Sequence, residues 1–249
     1  MARYPSQHSN TPFIWMLACA LALGAGVSAG CTTGASRGDG GSVSSPNKKP
    51  KRTSGILELH LLTMPVALNL DGAPGPDGVA VKLFANVGNA FTGGVTLNAG
   101  TLTFTSSQNI AGGITVNGGN LVLGAANTVT GNVVINGSGT IVQNATDGIG
   151  RGTLAFGSGS TGSISLNDND AQLNGISTHA TVGSPIIFNG AVGNSGLTVT
   201  VASGTDTFGG SIIDGGVGQL YFFKSGAGTL RLTGASTNFA TLVSDGMLE

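Results

Sequence analysis

The chain has 249 residues with ten basic and eleven acidic side chains, and charged residues make up 8% of it, against about 25% in an average globular protein. Low charge combined with 40% hydrophobic content excludes classical disorder, which needs the opposite balance, and 44 glycines point to many turns. Charge is also split: residues 1–53 carry six basic and one acidic side chain, residues 54–249 four basic and ten acidic. The part expected to fold therefore lacks the clustered Lys and Arg that bind phosphates, and nucleic acid is not an expected partner.

Residues 1–12 are polar, and an apolar run follows from Phe13 to Val27. Fifteen residues are too few to span a bilayer comfortably. Val27-Ser28-Ala29 offers small residues where a signal peptidase cuts, so residues 1–29 read as a secretory signal peptide, with a retained anchor as the alternative. Ser28-Ala29-Gly30-Cys31 resembles the lipobox of bacterial lipoproteins, although Ser28 stands where that motif prefers Leu. Cys31 is thus a candidate lipidation site. Cys19 and Cys31 are the two cysteines, which leaves no internal disulfide in the mature chain. Residues 30–55, rich in Gly and Ser and ending in the basic cluster Asn47-Lys-Lys-Pro-Lys-Arg52, read as a flexible linker.

From Ile56 to residue 85 apolar and polar residues alternate around Pro74 and Pro76, and this segment is expected to supply capping strands. The pattern that organises the rest begins at Phe91. Phe91-Thr-Gly-Gly-Val-Thr-Leu-Asn-Ala-Gly-Thr-Leu-Thr-Phe104 recurs as Ile110-Ala-Gly-Gly-Ile-Thr-Val-Asn-Gly-Gly-Asn-Leu-Val-Leu123 and again from Val129. Such a period means one stacked structural unit. Apolar residues alternate within each copy: Val95, Leu97 and Leu102, then Ile114, Val116 and Leu121, then Val133 and Ile135. Period two indicates strands with one buried face, so each copy reads as two short strands around a corner.

Asn98, Asn117 and Asn136 share the corner column, where Asn and Gly accept left-handed backbone angles cheaply. Two strands joined by Asn-Gly could form an antiparallel hairpin. Constant spacing favours instead a parallel β-solenoid with these asparagines in a structural ladder. The fold class expected for residues 86–249 is all-β, a β-helix of 19–20-residue rungs; at about 20 residues and ~4.8 Å per rung, about eight rungs give a rod of roughly 40 Å. Only Pro185 of the eight prolines lies beyond residue 85, consistent with strands that need every N–H. The stretch Asn167–Ser184 is the least periodic and is expected to form a lateral loop.

The last part of the chain carries a family resemblance. Lys224-Ser-Gly226-Ala-Gly228-Thr229-Leu230-Arg-Leu232-Thr-Gly234 looks like the core of the autotransporter-associated β-strand repeat, and the copies at Phe91 and Ile110 resemble that repeat's second half. The resemblance implies a right-handed parallel β-helix, a passenger carried to the bacterial cell surface or outer membrane by export machinery of the envelope. It departs from the family after Phe239, where the usual glycine pair is missing. The chain stops at Glu249 inside a repeat with no translocator barrel, so self-association through an open solenoid end is expected, and the periplasm is the expected place if the passenger is truncated.

Chemistry is sparse. Asp168, Asp170 and Asp206 could serve a carbohydrate-active β-helix enzyme if they met in one groove; Asn167-Asp-Asn-Asp170 otherwise reads as a polar loop. Gly157-Ser-Gly-Ser-Thr-Gly162 matches the dinucleotide fingerprint in letters, but a strand follows it rather than the required helix. His8, His60 and His179 are isolated, so no metal, cofactor or catalytic residue is expected. Tyr221, Phe222 and Phe223 cannot all face inward. At least one is expected outside, either against a carbohydrate or partner or packed under a loop. The reading that results is a non-catalytic exported stalk or adhesin with a carbohydrate or host matrix surface as its possible partner; an enzyme using those aspartates, or a lipid-anchored envelope protein, are the alternatives.

Overall fold

The computed structural model describes residues 90–249, Gly88, and the backbone of three earlier strands. The expected signal peptide, Cys31 and the linker lie outside the described residues, as does most of the segment 56–85.

The early strands are β1 (Ile56–Glu58), β2 (Leu68–Asp71) and β3 (Lys82–Ala85). Strands then come in threes: β4 (Ala90–Phe91), β5 (Val95–Ala99) and β6 (Thr101–Phe104); β7 (Asn109–Ile110), β8 (Ile114–Val116) and β9 (Asn120–Leu123); β10 (Thr128–Val129), β11 (Val133–Ile135) and β12 (Thr140–Gln143). One rung has two, β13 (Leu154–Phe156) and β14 (Ser163–Ser165). The pattern resumes with β15 (Ala171–Leu173), β16 (Ile176–Thr178) and β17 (Ile186–Phe188), then β18 (Asn194–Thr200), β19 (Thr205–Phe208) and β20 (Ser211–Ile213). Last come β21 (Gln219–Ser225), β22 (Thr229–Leu232), β23 (Ser236–Thr237), β24 (Ala240–Val243) and β25 (Met247–Leu248).

All pairings are parallel, no helix is present among the described residues, and the strands stack into a β-solenoid. The antiparallel hairpin is therefore excluded. One face is a nine-stranded sheet running from β1 through β3, β6, β9, β12, β14, β17 and β20 to β23. The second face holds β2, β5, β8, β11, β13 and β16, with β19, β22 and β25 continuing beyond β16. The third holds β4, β7 and β10, then β15, β18, β21 and β24. Between those two sheets a turn at Asp147 keeps the ladder running: its carbonyl accepts the Asn127 N–H at 3.3 Å and its N–H donates to the Asp170 carbonyl at 3.0 Å.

The repeat unit is thus three strands and not two. The third face escapes sequence periodicity because β4, β7 and β10 are two residues long, and each contributes one core side chain, Phe91, Ile110 or Val129. Ile149, fully buried, fills the same part of the core in the rung without a third strand.

Leu102, Leu121, Ile141, Ile164, Ile187 and Ile212 form one register column along the first face, each no more than 1% exposed. The residue numbers show the rung lengthening, from 19 and 20 residues to 23, 23 and 25. The solenoid has about 7 turns at roughly 22-residue spacing, fewer and longer rungs than the first copies suggest. Extra residues go into corners, where lengthening a loop is inexpensive, while the strands keep register.

Asn167–Ser184 is likewise no lateral loop. It contains β15 and β16, and Ala171, Leu173 and Ile176 are buried in the core. Three apolar residues among Asp, Asn and Ser are too few to announce strands by themselves; the neighbouring rungs β13 and β18 impose the conformation through the ladder.

The asparagine column forms a side-chain ladder. Asn117 Nδ2 donates to Asn98 Oδ1 at 2.7 Å, and Asn136 Nδ2 donates to Asn117 Oδ1 at 2.8 Å. The backbone role at these corners falls to the glycines: the left-handed positions are Gly100, Gly119 and Gly137, at φ 83°, 76° and 51°, and none of the three asparagines has positive φ. The ladder ends where Gly157 takes the next place in the column, since a Cβ there would collide with Asn136 Oδ1.

Magnitudes rank these contributions. The ladder bonds are solvent-exposed and worth about 1 kcal/mol each, whereas truncating a buried Leu in a close-packed core costs about 2–5 kcal/mol. Leu121→Ala is accordingly expected to lower unfolding stability by about 3 kcal/mol and Asn117→Ala by at most about 2 kcal/mol, as read from urea midpoints followed by far-UV circular dichroism.

Candidate binding surface

Strand β21 carries both the motif lysine and the aromatic run, and its alternation sorts them. Leu220, Phe222 and Lys224 point inward and are at most 1% exposed, while Tyr221 and Phe223 are partly exposed on the outer face. An inward lysine is unusual, because burying an amino group without partners is costly. Lys224 Nζ donates to three backbone carbonyls, those of Ser225 at 2.8 Å, Gly226 at 2.6 Å and Asp245 at 3.0 Å. Three donors thus meet three acceptors, and the side chain fastens the corner after β21 to the rung above it.

The motif glycines surround that corner. Gly226 has φ 78°, which disfavours a side chain, and a Cβ would lie 2.5 Å from the Val201 carbonyl oxygen; at Gly228 it would press on Val201 Cγ1 at 2.8 Å. At Gly234 it would run into the Gly210 carbonyl. Thr229 donates its N–H to the Gly204 carbonyl at 2.8 Å, Leu230 is fully buried, and Leu232 packs against the core. Every residue of the motif therefore serves the corner or the core.

Outside this corner the third face bears a groove of about 310 Å³. Asp170, just ahead of β15, is followed across the face by Gly196 of β18 and Tyr221 of β21, with Gln172, Thr198 and Phe223 two residues further along. Gly196 forms the floor: a Cβ there would sit 2.9 Å from Asp170 Oδ1 and 3.7 Å from Phe223 Cε2. Asp170 Oδ1 accepts the Gly196 N–H at 2.7 Å, which leaves Oδ2 for another donor. Tyr221 is held by its hydroxyl, which donates to Gln219 Oε1 at 3.0 Å, and by an edge contact with Phe239 at 5.1 Å. Ser195 also borders the groove, and its buried hydroxyl oxygen has no hydrogen-bond partner.

Asp168 and Asp206 do not join Asp170 there. Asp168 sits in a left-handed turn (φ 63°) and exchanges two hydrogen bonds with Asn189, donating its N–H to Oδ1 at 2.9 Å and accepting from Nδ2 at 3.1 Å. Asp206 belongs to β19 on the second face, opposite Leu230. Burial pushes its carboxyl above the ordinary value of 3.8, opposed by the Ile176 backbone N–H. The glycine-rich stretch 157–162 is the turn between β13 and β14, and His179 uses Nδ1 to accept the Thr181 N–H at 3.0 Å. Among the described residues no group of three or more His, Cys, Asp or Glu could hold a metal ion.

A second, larger hollow of about 600 Å³ lies near Asn127, Thr128, Asp147, Arg151 and Asn174. It has no aromatic ring. Its cation, Arg151, is 63% exposed and paired with Asp147 at 3.6 Å, an arrangement worth little in water.

Sequence reasoning missed the buried amides that shape the corners. Gln143 and Asn189 are fully buried: Gln143 Nε2 donates to the Asp170 carbonyl at 2.7 Å, and Asn189 Nδ2 to the Gly193 carbonyl at 2.8 Å. Asn127 links rungs in the same manner, accepting the Gln108 N–H at 2.8 Å and donating to the Gly148 carbonyl at 2.6 Å. The one signal available was an Asn or Gln where neighbouring copies place an apolar residue, as Gln143 does in the column of Phe104 and Leu123.

Fold and surface together define the class as a parallel β-solenoid repeat protein with a shallow aromatic groove on one face. No protein-family profile, curated protein or solved structure matches the chain.

Two substitutions check these assignments. Lys224→Met keeps the bulk but strands three carbonyls, and is expected to destabilise the chain by about 3 kcal/mol, read as a shift in urea midpoint. Asp206 binds its proton more tightly in the folded than in the unfolded state, so this group makes stability fall as pH rises through the carboxylate range, with the full penalty above the raised pKa. Asp206→Asn should therefore raise the thermal midpoint at neutral pH, and the gain should vanish well below 3.8.

Proposed function

We propose that this chain is an exported, non-catalytic, passenger-like solenoid that serves as a stalk or adhesin at the bacterial cell surface. The observation that carries the reading is the continuous stacking of parallel rungs, about 7 turns, in which many side-chain polar groups hold rung to rung or corner to corner. Asn98, Asn117 and Asn136 bond to one another, Asp168 bonds to Asn189, and Lys224 bonds to corner carbonyls. Side chains occupied in this way are not free for turnover. Asp170 and Asp206, the remaining carboxylates of the enzyme alternative, stand on different faces.

The resemblance of Lys224–Gly234 to the autotransporter-associated repeat supports export through the envelope, as do the signal-like residues 1–29. An extended solenoid suits display, because its length grows by one rung per repeat and its outer faces are built from the solvent-facing half of each strand.

The test is topological. The intact reading frame, tagged at its C-terminus, is expressed in a bacterial host, the envelope is fractionated, and whole cells are shaved with protease. Outward exposure with loss of the tag on shaving is the expected result, and retention in the periplasm or cytoplasm, or degradation, overturns the reading. Mass spectrometry of Cys31 separates a lipid-anchored form from a free one.

A further inference from the structure

We infer that the groove floored by Gly196 is a subsite for one ring of a neutral glycan, an inference that rests on the display role proposed above and gives it a ligand class. Size comes first: about 310 Å³ is the low end of ligand pockets, which run from about 300 to 1,000 Å³. The groove takes one ring and leaves the rest of a chain outside.

The lining then selects the ring. Tyr221 and Phe223 lie on the same side of β21, partly exposed, and offer apolar faces to the C–H surface of a pyranose. Tyr221 is already fixed by Gln219 and Phe239, so little side-chain entropy is lost when a ligand settles on it. Across the glycine floor stand Asp170, with Oδ2 unoccupied, and the exposed amide of Gln172, while the exposed amide of Asn194 lies at the near end of the floor strand β18. A carboxylate accepts from hydroxyls, and amides both accept and donate, which is the set that vicinal hydroxyls require. Ser195, on the inward side of β18 and 1% exposed, takes no part in the ligand contacts.

Charge decides against the other flat ligands. Stacked bases would need a positive groove for the phosphates, and here the one charged lining residue is Asp170. The same carboxylate repels sulfated or uronic glycans. Gly196 is what opens the space, because in its register place any side chain would stand between Asp170 and Phe223.

The test is affinity electrophoresis of the full chain through gels containing galactomannan, xylan or dextran, with heparin as the anionic comparison. Retardation by at least one neutral polysaccharide is expected. Tyr221→Ala should weaken it by about tenfold or more, the equivalent of one aromatic contact. Asp170→Asn, which keeps the acceptor for the Gly196 N–H, should weaken it as well, and holds the test open should Tyr221→Ala misfold. Leu242→Ala, an exposed apolar residue next to Phe223 on β24, should change nothing. Retardation by heparin alone, by no neutral polymer, or with equal loss in Leu242→Ala overturns the subsite. Those outcomes leave surface display standing, since protease shaving decides that separately.

Discussion

Everything in this molecule depends on one constraint: a parallel rung cannot satisfy its own backbone. Each strand's N–H and C=O groups find partners in the rungs above and below, so a residue's place is set by the one a full turn earlier. That is why identical residue types recur in columns. Leu102, Leu121 and Ile141 stack, and so do Asn98, Asn117 and Asn136. It also explains how charge can be so scarce, since the ladders supply the polar pairing that other folds obtain from side chains.

The corners are where the constraint is hardest to meet, because there the backbone leaves the sheet. Different corners use different solutions. Asparagine side chains bond to one another at the outer edge of the second face, while buried Gln143, Asn189 and Asn127 reach carbonyls or N–H groups of adjacent rungs. Lys224 is the extreme case, a cationic residue type placed in a column with Leu173 and Val199. Its position makes sense only because the glycines that follow it let three carbonyls turn toward one nitrogen.

How much of this can be read from the letters follows from the same physics. The rungs between Phe91 and Val142 are legible because their period is constant and their alternation strict. Beyond Gln143 the strands persist, but corners absorb extra residues and the period drifts, so Asn167–Ser184 looks like a loop although Leu173 and Ile176 are core. The third face is invisible in the first rungs, since the two-residue strands β4, β7 and β10 have no period, and it shows only where β18 and β21 reach seven residues. Lys224 is recognisable as part of a motif, yet nothing in its letter says that it is buried. The groove is less legible still: Asp170, Gly196 and Tyr221 lie 26 and 25 positions apart, and only the register reveals them as neighbours. The aromatic run did contain a true signal, because alternation forbids three consecutive residues from sharing one side, and Phe222 alone turns inward.

Composition gives the groove an additional property. The chain has one tryptophan and two tyrosines, and Trp15 and Tyr4 both fall in the leader-like first 29 residues. Tyr221 is therefore the one Tyr or Trp in residues 30–249, and it stands at the groove with its hydroxyl tied to Gln219 and its ring against Phe239. In a chain processed after Ala29, the tyrosine emission comes from this single ring. The protein then carries its own optical reporter at that spot, and a change in emission on mixing with any molecule describes one known position on the third face.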